Sequence, residues 1–179
     1  KLFLHLPYES ILWINNNLII NNLINNKKIN IIAREIPDFP LEGEICIIAP
    51  RFKGIFYCIT KTLLNLNLQI VNARSYIKTQ DILIDYYQVQ AKPNTNWYYI
   101  EQEIKRELSE FNNNKNNKLP KYSKFITSKN IFNIKTEVFI TQLIEINNNN
   151  IIPGFLKLEI ITFDRPGLLA QIAEILMNL

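Results

Sequence analysis

The chain has 179 residues, 47% hydrophobic and 20% charged, which supports one globular domain or two small ones and excludes disorder throughout. Its net charge is +4, yet six lysines and no acid fall between Asn112 and Lys135, so the remainder is slightly acidic. The 32 Ile, 25 Asn and 15 Lys stand against 3 Val, 4 Gly and 5 Arg; all three enriched types have AT-rich codons, so the bias reads as drift and a single asparagine carries little functional weight.

Taken in order, residues 8–26 follow Pro7 and space Ile11, Ile14 and Leu18 for a helix, which leads into a strand near Ile29 to Ala33. Glu44 to Ala49 is apolar on both faces, as a central strand covered on two sides requires. After the turn Pro50 to Gly54, Ile55, Ile59 and Leu63 predict an amphipathic helix to about Asn67. Gln69 to Ile77 and Ile82 to Val89 read as a hairpin, and Asn96 to Glu110 as a helix with Trp97, Ile100, Ile104 and Leu108 on one face. Residues 112–130 are an Asn/Lys-rich loop, read as a solvated linker. Ile131 to Ile140 is expected to supply a fourth strand. The result is an α+β chain of ferredoxin-like plan, an antiparallel sheet with helices on one face.

Several chemistries are excluded. Cys46 and Cys58 form no CxxC and His5 is the single histidine, so no zinc site can be assembled and the thiols read as free in a reducing compartment. No apolar run approaches the roughly 18 to 20 residues of a membrane span, and Leu2 to Pro7 is too short for a signal peptide; a cytoplasmic location is expected. Tyr86-Tyr87 lacks the glycine-containing context of an RNA-binding sheet, so no nucleic-acid partner is expected.

A weak internal repeat is the most informative feature. A shift of 113 residues lays Ile47 to Phe56 on Ile160 to Leu169 and matches Gly54 with Gly167, Ile59 with Ile172 and Leu63 with Leu176. The first copy continues through two strands and a helix, whereas the second stops at Leu179 after one helix. With Lys1 in place of an initiator Met, this leads us to expect a segment of a longer chain.

Asp164-Arg-Pro-Gly-Leu-Leu169 follows a strand and opens a helix. Gly167 permits a tight turn and close ligand approach, the helix start offers amides to a carboxylate, and Asp164 can pair with an ammonium group; together they suit an α-amino acid. This turn is similar to the signature turn of the ACT domain, a ferredoxin-like module that commonly senses amino acids. Gly43 to Gln90, Phe132 to Ile140 and Leu158 to Leu176, with Asn72-Ala-Arg74 and Thr136-Glu-Val138 the most specific pieces, resemble the C-terminal region of the bacterial bifunctional PII uridylyltransferase/uridylyl-removing enzyme family. His5 to Ile19 resembles the helix after that family's hydrolase domain.

The resemblance implies residues 1–40 as the tail of a preceding hydrolase domain with its linker, 41–140 as a first ACT domain and 155–179 as the first half of a second. It implies a regulatory region that senses glutamine through Asp164, Arg165, Pro166, Gly167 and Leu168, with Arg51 and Gly54 as the first-copy equivalents. Arg51 stands where an acid is usual, which removes the ammonium partner there. It implies control of an enzyme that adds UMP to the PII signal protein and removes it, in nitrogen regulation, and pairing between ACT domains. The family's catalytic domains would use Mg2+; this chain lacks their motifs, so no catalytic residue, metal ligand or cofactor is expected in it. A stand-alone amino-acid-binding ACT protein and a structural remnant that senses nothing are the alternative readings.

Overall fold

A computed structural model describes residues 8–17, 28–79, 82–113, 137–142, 145–147, 150–152, 156–162 and 164–178. The chain divides into two compact units, Lys1–Leu119 with Pro166–Leu179, and Pro120–Arg165. The first unit contains α1 (Tyr8–Asn17), β1 (Asn30–Ile36), β2 (Phe39–Pro50), α2 (Ile55–Asn65), β3 (Gln69–Thr79), β4 (Ile82–Gln90), α3 (Trp97–Asn113) and, from beyond the second unit, α4 (Leu168–Asn178). Its strands form one antiparallel sheet in the order β1-β2-β4-β3. The α+β class and the antiparallel sheet stand as expected, and the arrangement is compatible with a ferredoxin-like fold.

One strand is assigned differently from the sequence expectation. The fourth strand of this sheet is Asn30–Ile36, which pairs with β2 from the N-terminal side, and not Ile131–Ile140. Of that segment, Glu137 to Ile140 belongs to β5 (Glu137–Gln142), which pairs with β8 (Leu156–Ile161) in the second unit. The physical reason is proximity along the chain: a two-residue turn at Pro37-Asp38, with Asp38 at φ 68°, closes β1 onto β2, so the edge is filled locally. Residues 114–136 and the hairpin tip Gln80-Asp81 lie outside the described residues, as does the extension of the first helix to Asn26.

Strand β2 organises the core. Ile45 to Ala49 are each at most 1% exposed, because alternate side chains enter different layers. Ile45, Ile47 and Ala49, with Leu83, Tyr87 and Val89 of β4, pack beneath Ile55, Ile59 and Leu63 of α2 and Ile100, Ile104 and Leu108 of α3. Cys46 and Ile48, with Ile82, Ile84 and Tyr86, pack beneath Ile14 and its neighbours Ile11 and Trp13 of α1. The face opposite α2 and α3 is therefore covered as well.

The second unit holds β5 and β8 as an antiparallel pair and a short hairpin of β6 (Glu145–Asn147) and β7 (Asn150–Ile152). Its register extends the internal repeat. Asn30 pairs with Ile48 in the first unit and Glu137 with Ile161 in the second, and Ile48 and Ile161 are repeat equivalents. Each copy thus begins with a strand pair, and the second copy's connection is six residues longer and carries the β6–β7 hairpin. The equivalence continues into the helices, since α2 and α4 have 11 residues each and begin 113 residues apart. Among the described residues, no helix is long and apolar enough to cross a membrane.

Gly43 has a packing reason to lack a side chain: a Cβ there would overlap the ring of Trp97, the first residue of α3. Gly43→Ala is expected to lower stability by about 1–3 kcal/mol as the indole is displaced, measured by urea unfolding.

Candidate functional site

The two glycine turns have the same geometry. Gly54 has φ 86° and Gly167 φ 81°, a left-handed conformation that costs other residues energy, and each stands one residue before an 11-residue helix. The amide of Cys58 donates to the carbonyl of Gly54 at 2.9 Å, and the amide of Gln171 to that of Gly167 at 3.0 Å, so the first helical bond is the same in both copies. The amides of the first turn of each helix have no intrahelical acceptor, which biases both turns towards an anion.

The sequence-predicted residues of the second turn are placed as follows. Asp164, Arg165 and Pro166 are exposed, Gly167 and Leu168 are half-buried, and Leu168 is the first residue of α4. In the first turn Arg51 is exposed and Gly54 half-buried. Gly54 faces Met177 and Phe111, since a Cβ on it would stand 2.6 Å from Met177 Sδ and 3.0 Å from a Phe111 ring carbon. Near the first turn, Pro50 lines an open cleft of about 280 Å³ with Lys28, Asn30, Lys105, Ser109 and Asn112.

Two buried acids, Glu44 and Asp85, escaped the sequence reading. Glu44 is fully buried on the α1 face of β2. Arg34, its partner across β1, donates from Nε to Glu44 Oε1 at 2.6 Å, and the Tyr86 hydroxyl donates to Oε2 at 3.0 Å. The Arg34 guanidinium also lies 4.6 Å from the Trp13 ring centroid, which ties α1 to the network through a cation–π contact. On the other face Asp85 is 1% exposed; its Oδ2 accepts from the Tyr87 hydroxyl at 3.1 Å, whereas Oδ1 has no hydrogen-bond partner. Burial pushes its carboxyl up to about 6, against the smaller lowering effect of Ser75 and Tyr87. The available signal was a lone acid within an otherwise apolar strand.

Cysteine chemistry is disfavoured. Both thiols are buried, and burial pushes each up to about 12, so neither is a thiolate nucleophile at neutral pH. No group of three or more His, Cys, Asp or Glu among the described residues could hold a metal ion. The buried carboxylates sit in separate layers, Glu44 already satisfied by a cation, so they do not form an acid–base pair.

Compared with known proteins, the chain matches no family model, no curated protein and no solved structure.

Removing one member of the Glu44 network leaves a buried charge without its partner. Arg34→Ala is expected to cost about 3 kcal/mol in chemical unfolding, and Arg34→Ala/Glu44→Gln to recover a substantial part of it. For Asp85, the folded pKa lies above the unfolded value, so its contribution is full below about pH 4, is lost as pH rises through about 6, and stays lost above. Melting temperatures between pH 4 and 8 are expected to fall across that window, and Asp85→Asn to remove that part of the slope.

Proposed function

We propose that this chain is the regulatory, glutamine-sensing part of a PII uridylyltransferase/uridylyl-removing enzyme, cytoplasmic and catalytically inert by itself. The observation that carries the reading is the glycine turn that recurs at Gly54 and Gly167 with the same φ, the same first helical hydrogen bond and equivalent strand pairing. A repeated strand, glycine turn and helix start supplies backbone amides that suit a ligand carboxylate. Asp164 would receive the ligand's ammonium group at the second turn. Arg51 occupies the equivalent position in the first, where that attraction becomes repulsion. On this reading only the second turn binds an amino acid, through Asp164, Arg165, Pro166, Gly167 and Leu168, and the first copy is a scaffold for it.

In the parent enzyme, glutamine seated at this turn would alter how the ACT domains pack and tilt the balance from UMP transfer towards UMP removal. The chain's own part is binding and transmission; the Mg2+-dependent chemistry belongs to other domains of that enzyme.

Calorimetric titration with L-glutamine tests the reading. A saturable heat is expected, weakened about tenfold or more by Asp164→Ala, equivalent to about 1.4 kcal/mol, and unchanged by Arg51→Ala. No heat at millimolar glutamine, or equal binding by Asp164→Ala, overturns the ligand assignment and favours a remnant that senses nothing.

A further inference from the structure

Among the described residues, the sheet of the first unit has β1 and β3 at its edges. An edge strand presents a row of backbone amides and carbonyls with which another chain can pair. The two edges differ in regularity. The pairing of β3 shifts register between Ile70 and Asn72 and again between Ile77 and Thr79, and such irregularities twist an edge away from a flat partner. By contrast, β1 keeps an unbroken register with β2 from Asn30 to Glu35. It is therefore the better template for a further strand.

Which groups of β1 face outward follows from the ladder. The amide of Ala91 donates to the carbonyl of Leu41 one pair past the end of the β2–β4 register, so Leu41, Gly43 and Ile45 direct their backbone groups towards β4. Ala33 pairs with Ile45 and so turns its own amide away from β2. Ile31 and Glu35 do the same by alternation, and Ala33 is the middle residue of the seven-residue strand.

That middle amide donates to Glu101 Oε1 at 2.7 Å, on the flank of α3. The core holds α3 beside the edge, since Ile31 and Ala33 pack against the cluster that contains Ile100, Ile104 and Leu108. Lys105, Ser109 and Asn112 continue the stripe of Glu101 at helical spacing and line the cleft at the start of β1 with Lys28 and Asn30. The Glu101 oxygen stands on the side, and at the distance, at which the carbonyl of a further strand would accept. A charged acceptor bonds an amide more strongly than a neutral carbonyl does. An incoming strand would thus displace a better partner to supply a poorer one.

We infer that Glu101 closes the β1 edge: its carboxylate holds the place of a fifth strand and keeps this chain from pairing edge to edge with a second copy. A second copy is the partner this edge would otherwise fit. Antiparallel pairing of β1 with itself about Ala33 would bond Ala33 to Ala33, and Ile31 to Glu35 in both directions, so all the outward amides from Ile31 to Glu35 would find acceptors at once. The inference concerns assembly and does not rest on glutamine binding.

Sedimentation velocity and site-resolved amide exchange on the whole chain test it. In dilute solution Glu101→Ala is expected to speed exchange of the Ala33 amide about tenfold relative to the parent chain. At higher concentration the same variant is expected to gain an association step absent from the parent, with the amides of Ile31, Ala33 and Glu35 becoming protected. Glu101→Gln keeps an acceptor oxygen on the same arm and is expected to retain the parent's association state and its slow exchange at Ala33. The proposal is overturned if Glu101→Ala associates no further than the parent, if its complex leaves those amides unprotected, or if Glu101→Gln associates to the same extent. Should Glu101→Ala not fold, Glu101→Met keeps the length of the arm without its oxygens, and the same outcomes decide.

Discussion

The fold depends on β2 being covered on both faces. A strand with one wet face can hide its polar groups in solvent; Ile45 to Ala49 cannot, because α2 and α3 close one side and α1 the other. Two consequences follow from that constraint. Any acid on β2 or on its neighbour β4 within the covered span must find its partners inside the protein, and any loss of one layer exposes the strand that joins both. Glu44 meets the first demand through Arg34 and Tyr86, and Arg34 carries the solution outward to Trp13, so satisfaction of a buried charge and attachment of α1 are one event. Asp85 meets it only in part, with one oxygen bonded and one without a partner.

How much of this was legible follows from what is local in the chain. The helices at 55–65 and 97–113 and the strands at 69–79 and 82–90 were readable because their apolar spacing is a property of a single segment, and Gly54 and Gly167 because a positive φ selects glycine wherever it occurs. Strand partnership is not local. The strand near Ile29 to Ala33 was recognised as a strand, but its place beside β2 depends on a tight turn at Asp38 that gives no glycine signal. Expecting Ile131 to Ile140 in that place followed from the order of elements alone. The pairing of the buried acids is not local either, since the partners of Glu44 lie on β1 and β4 and are known only once the strand order is.

The repeat is weak in sequence, with few identities between the copies, yet the structure retains it in register, glycine conformation and helix length. Backbone geometry is kept where side-chain identity is not, because the turn constrains φ while the core accepts apolar residues that differ in shape, as in Tyr57 and Ala170. The copies also diverge in charge, with Arg51 at the position of Asp164 and Lys61 at that of Glu174.

The two tryptophans lie on opposite sides of the sheet, Trp13 in the layer formed by α1 and Trp97 against Gly43 in the layer formed by α2 and α3. Each layer thereby contains its own chromophore. Trp13 emission registers the guanidinium stacked on its ring and so the seating of α1, while Trp97 emission registers the helical core. A partial unfolding that peels away one layer would leave a spectral signature different from that of the other, without any label being added to the chain.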